Sequence, residues 1–105
     1  MFAVTTPTIE GQPIRQYIGL VSGETIAGVN MFKDIGAGFR NLVGGRSTAY
    51  EQELQQAYST AVNEMCQRAE AMGANAVVGV RVDYFTLGSD NGMLAAVANG
   101  TAVLV

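Results

Sequence analysis

An α+β subunit with a three-stranded, mainly antiparallel sheet is the fold class that the sequence predicts, and three observations carry it. Residues from about 48 to 72 repeat apolar side chains every three or four positions, which is helical spacing. Residues Ala76 to Phe85 instead alternate with the period of two of a strand. The turn-forming run Gly88-Ser89-Asp90-Asn91-Gly92 then leads into Met93–Val105, a stretch without a charged residue, so the two segments close a hairpin.

Taken in order, residues 1–13 hold Pro7, Gly11 and Pro13 and read as an extended arm, with a short edge strand at Phe2–Thr5. Ile14 to Val21 form the first main strand, with apolar groups on both faces: Ile14, Ile18 and Leu20 on one parity, Tyr17 and Val21 on the other. Val29, Phe32, Ile35, Phe39 and Leu42 then recur at helical spacing. Gly36 and Gly38 each weaken that helix by about 1 kcal/mol relative to Ala, so it is expected to be short and irregular, ending at Gly44-Gly45. Thr48 and Glu51 have capping-box spacing. Behind them Tyr50, Leu54, Ala57, Ala61, Met65 and Ala69 form the apolar stripe of a long helix. Glu64 and Arg68 stand in the favourable i,i+4 order, and Gly73 is the natural residue after the last turn. On strand 76–85, Ala76, Val78, Val80, Val82 and Tyr84 are expected on one face and Val77, Gly79, Arg81, Asp83 and Phe85 on the other.

A helical crossover lets the first two main strands run parallel, with the hairpin strand antiparallel to the second. The uncharged last strand belongs at the sheet centre, which gives the order 1-3-2. Both helices then cover one face, and Tyr17, Val21, Val77, Phe85, Val97 and Val103 are expected on the open one. An open apolar face and two long edges invite association. The chain is therefore expected to be a homo-oligomer, a cyclic ring closing its sheet edges.

Composition agrees. The chain has 105 residues, enough for one domain over 1–105, and 49% are apolar while 14% are charged. Soluble domains average about 25% charged residues, so disorder is excluded and a surface that meets another subunit is favoured. Six basic residues are scattered against nine acidic ones, giving −3. No clustered phosphate contacts follow from that, and no nucleic-acid partner is expected. No apolar run reaches about 18 residues uninterrupted, since Asn99, Gly100 and Thr101 break the longest, so no membrane partner is expected. Met1–Thr5 has no basic-then-apolar leader and Cys66 has no disulfide partner, so a cytoplasmic location is expected.

Several motifs occur here in one order: Thr5-Thr6-Pro7-Thr8-Ile9-Glu10-Gly11, Gly23-Glu24, Phe32-Lys33-Asp34, Gly44-Gly45-Arg46-Ser47 with Tyr50-Glu51, Gly73-Ala74-Asn75-Ala76-Val77-Val78-Gly79 and Gly100-Thr101-Ala102-Val103. With them the chain resembles the bacterial YbjQ-like family over nearly its whole length. The resemblance implies a dodecin-like α+β subunit with a three-stranded antiparallel sheet, assembling into pentamers or pairs of pentamers. The family is labelled heavy-metal-binding, with no established reaction and no agreed catalytic residues.

The residues themselves argue against that label. Soft metals want thiolate and imidazole ligands, yet His is absent and Cys66 is alone on the long helix, where a small buried hydrophobe is its ordinary role. Gly44, Gly45, Arg46 and Ser47 form the best candidate anion or ligand site, offering a turn, a cation and a hydroxyl where a helix begins. The plainer reading of that segment is a helix-to-helix turn with a cap. Gly36-Ala37-Gly38 lacks the third Gly and the preceding strand of a dinucleotide fingerprint. Glu24 and Asp34 flank the first helix as possible paired carboxylates, or as salt bridges with Lys33 and Arg40. Arg81 and Asp83 share a strand face, as an intersubunit pair or as the lining of a channel. Tyr17, Tyr58, Tyr84 and the other aromatics fall mostly on core parities. The expected function is a non-enzymatic, homo-oligomeric module that binds a small ligand or ion, with no cofactor identifiable. The alternatives are a small enzyme using Arg46, Glu24 or Asp34 between subunits, or a purely structural ring. The lack of His and of a nucleophile–base pair weighs against the enzyme.

Overall fold

Residues 1–27, 48–87 and 93–105 are described by a computed structural model. Over them run β1 (Phe2–Ala3), β2 (Gln16–Ala27), α1 (Thr48–Ala71), β3 (Ala76–Leu87) and β4 (Met93–Leu104). The shorter helix expected over Val29–Val43 and the hairpin turn at 88–92 lie outside the described residues.

Helix α1 begins where the sequence places it and stops for a reason visible in its last turn. Gly73 takes φ 95°, a conformation that favours a residue without a Cβ. The Gly73 N–H donates to the Glu70 carbonyl, and the Ala74 N–H donates to that of Ala69. Those two bonds satisfy carbonyls that the helix would otherwise leave bare.

Among the described residues the sheet is open and has four strands in the order β1-β3-β4-β2. The three main strands keep the expected 1-3-2 arrangement, and a fourth strand beside β3 makes the whole order differ from it. The extra strand is the N-terminal arm: Phe2 and Ala3 pair in parallel with Ala76 and Val77. The Val4 N–H donates to Val77 O, and the N–H groups of Val80 and Gly79 donate to Val4 O and Thr6 O. Strand β4 pairs antiparallel with β2 on one side and with β3 on the other.

Two bulges decide which side chains face α1. One lies between Tyr17 and Gly19 of β2, the other between Val78 and Arg81 of β3. Gly79 in the second has φ 63°, the left-handed conformation typical of a bulge glycine. Because strand side chains alternate, one extra residue sends everything beyond it to the opposite face. Val77 therefore shares the helix-facing cluster with Val80 and Val82, while Ala76 and Val78 lie on the other face with Val103. Val21 likewise joins Ile18 beneath the helix. This corrects the expectation of an unbroken alternation along 76–85, and with it the placing of Val21 and Val77 on the open face. Both are buried under α1.

Ala57, Ala61, Met65 and Ala69 of α1 meet Ala96, Ala98 and Ala102 of β4 across this core. Small residues on both sides let the backbones approach closely. The closest approach is at Gly23, where an added Cβ would collide with the backbone of Ala61 and Met65. A second cluster on the helix-free face puts Val4, Ile9 and Ile14 of the arm, with Val105, over Ala76, Val78 and Val103. That cover reaches only one end of the sheet.

Candidate functional site

The strand registers define the face away from α1, called helix-free because no helix among the described residues covers it, as rows of neighbouring side chains. Moving away from the arm, the rows are Val78–Thr101–Leu20, then Arg81–Asn99–Ser22, Asp83–Val97–Glu24 and Phe85–Ala95–Ile26. The residues that interrupt the apolar run of β4, Asn99 to Thr101, thus fall beside the bulge of β3 and the middle of β2. There they line a groove of about 450 Å³ together with Leu20, Ser22 and Gly79. An amide and two hydroxyls offer donors and acceptors on its floor, and Leu20 supplies an apolar wall. Leu20 is 88% exposed. Beyond the groove, the Arg81 guanidinium stands 4.0 Å from the Asp83 carboxylate, with both side chains mostly in solvent.

At the outer edge of β2 a second group of charges gathers on Arg68. Its Nη1 donates to Glu24 Oε2 and its Nη2 to Glu24 Oε1, at 3.0 and 2.9 Å. Such a two-pronged contact is the preferred geometry of guanidinium with carboxylate. Nη2 also donates to Glu64, one turn back, and Nη1 to the Ser22 carbonyl at 3.0 Å. Glu24 therefore pairs with Arg68. Its sequence-suggested partners Asp34, Lys33 and Arg40 lie outside the described residues.

The hydrogen bond from Arg68 holds the Glu24 carboxyl below its ordinary value of 4.5, with desolvation opposing and the guanidinium charge assisting. The folded protein thus binds this proton less readily than the unfolded chain. The stabilisation is complete above pH 4.5 and drains away as pH falls through the lower folded value. Both groups are exposed, so salt weakens the contact. Glu24→Gln is expected to unfold at lower urea than the parent at neutral pH, the gap closing as pH falls through the lowered folded value. A gap that stays constant with pH would remove this account.

Cys66 is half-buried on α1, and burial pushes its thiol up from the ordinary range. That disfavours the thiolate, the form that binds metal. Among the described residues no three of His, Cys, Asp and Glu converge on a point, and the whole sequence contains no His and no second Cys. These donors do not fit a soft heavy metal. A second groove of about 360 Å³ lies between α1 and β3, lined by Leu54, Gln55, Tyr58, Ser59 and Tyr84. Burial, and then the neighbouring Tyr58, raise the Tyr84 phenol above its usual pKa. At 45% and 44% exposed, Tyr58 and Tyr84 depart from the expected core positions, while Tyr17 lies exposed on the face away from α1, as expected.

Gly44, Gly45, Arg46 and Ser47, the site suggested by the sequence, lie outside the described residues. The helix-free groove was not anticipated. Its only signal in the chain was the polar break at Asn99 and Thr101 within an otherwise apolar strand.

Known proteins resemble the chain over its full length. A family described as "Putative heavy-metal-binding" matches residues 1–105. A "UPF0145 protein" of Bifidobacterium longum is 58% identical over 105 residues, covering all of this chain and 96% of the relative. One from Listeria grayi is 57% identical, covering all of this chain and 99% of the relative. A crystal structure of a protein of unknown function from Pediococcus pentosaceus, placed in the DUF74 family, superposes with a TM-score of 0.68. It covers all of this chain and 97% of its own, at 13% identity, and so speaks for the fold alone. No helix among the described residues is long and apolar enough to cross a membrane.

Proposed function

Since the chain belongs to the YbjQ-like family, we propose that it is a homo-oligomeric, non-enzymatic module that holds a small ligand or ion between its subunits. The observation that carries this reading is the groove of about 450 Å³ on the helix-free face. Its volume falls within the range of small-molecule sites, roughly 300–1,000 Å³. Among the described residues nothing closes it, which leaves room for a neighbouring subunit to enclose what binds there. Asn99, Ser22 and Thr101 supply hydrogen bonds suited to a polar ligand, and Arg81 in the Asn99 row favours an anionic one. The lone, proton-holding Cys66 argues against a soft metal as that ligand. The five- or ten-subunit size implied by the resemblance remains the proposed copy number.

Native mass spectrometry of gently purified protein tests the reading. The expected spectrum is a multiple of the 11.0 kDa subunit carrying a small non-metal ligand, which Asn99→Ala releases. A bare monomer at micromolar concentration would overturn it. Stoichiometric zinc, copper or cadmium would overturn the choice of ligand.

A further inference from the structure

We propose that the helix-free face of the sheet docks a second copy of this chain, with Arg81 of one copy paired to Asp83 of the other. The inference rests on the self-association proposed above and assigns it a surface and two residues. The first argument is cover. Among the described residues only the arm packs on this face, over Ala76, Val78 and Val103.

The second argument is what this face displays. Tyr17 is 68% and Leu20 88% exposed, and Ile26 and Phe85 are about half exposed. The arm covers only the end at Ala76, Val78 and Val103. Between the apolar rows, Arg81 and Asp83 stand two residues apart on one strand and one face. Their mutual contact of 4.0 Å leaves both side chains largely free. Adjacent rows that carry one cation and one anion are complementary to a second copy, because a copy turned or shifted by one row sets Arg81 against Asp83. The third argument is the edge. At the middle of β2 the Ser22 carbonyl is already taken by Arg68. A strand joining there would have to displace that guanidinium, whereas no described element covers the middle of the face beside it.

Sedimentation and native mass spectrometry on the full chain decide the matter, with circular dichroism checking the fold of each variant. Arg81→Asp and Asp83→Arg should each weaken association by about 100-fold, since each sets like charges together. Mixing the two variants in equal amounts should restore it, because each then supplies the charge that the other lacks. Leu20→Asp, at a side chain that the isolated fold leaves in water, should also yield smaller species. If the parent assembles and all three variants assemble equally well, this face is not the interface, while self-association stands. If the single variants dissociate and their mixture does not recover, the Arg81–Asp83 pairing is overturned. A monomeric parent overturns both proposals. One that retains a small molecule lost in Leu20→Asp would assign the face to a ligand instead.

Discussion

Gly23→Ala will cost this fold about 3 kcal/mol or more, the upper end of what one added methyl group does in a packed protein. The new Cβ would sit against the carbonyl oxygen of Ala61 and the backbone nitrogen of Met65. Neither atom is the end of a side chain that can swing away, since both belong to the helix backbone. Relief requires α1 to lift from β2, which opens the alanine-lined core between them. Urea unfolding at fixed protein concentration measures the effect. In a domain of this size it corresponds to a fall in midpoint temperature of roughly 15 °C. A variant within about 1 kcal/mol of the parent would show that the helix–sheet contact is looser than described.

Met65→Ala comes next, at about 2–5 kcal/mol. Met65 is among the largest fully buried side chains, and its other helix neighbours in the core are the small residues Ala57, Ala61 and Ala69. The buried neighbours Ala57, Ala61 and Ala69 are too short to fill the space that it leaves, and Val62 and Cys66 only flank it, so a cavity persists and adds to the lost transfer energy. The double variant separates the two effects. Truncating the Met65 side chain does not relieve Gly23→Ala, because the clash is with backbone. The two costs should therefore nearly add, although the residues touch. Calorimetry showing that Met65→Ala rescues Gly23→Ala would contradict that geometry.

Much of this architecture was legible in the chain. The stripe from Leu54 to Ala69, the favourable Glu64–Arg68 spacing and Gly73 define α1 to within a residue of the observed Thr48–Ala71. Each is a local signal, repeated every turn. The strand regions 76–87 and 93–104 were legible for the same reason. The faces were legible only in part. Gly79 looks like any strand glycine until the arm supplies Thr6 O and Val4 O as acceptors for the bulged N–H groups of Gly79 and Val80. Beyond that bulge the expected faces hold, with Val80 and Val82 toward α1 and Arg81, Asp83 and Phe85 away from it. Before it, Val77 lies under α1 and Ala76 and Val78 on the other face, the reverse of the alternation. The pairing of Arg68 with Glu24, 44 residues away, had no sequence signal at all. The groove appeared only once Asn99 of β4 was set between Ser22 of β2 and the bulge of β3.

The sequence by itself determined the α+β class, the span of the long helix, the strand regions, the shortage of charge and the absence of imidazole. All of these are properties of periodicity or composition, which neighbouring residues settle among themselves. Only the tertiary structure decided where the N-terminal strand pairs, which side chains change face at the bulges of β2 and β3, the partner of Glu24 and the place of the groove. Each of those depends on one extra residue in a strand, or on backbone and side-chain groups meeting across tens of residues. Such meetings are fixed by hydrogen bonds and close packing that no local repeat encodes.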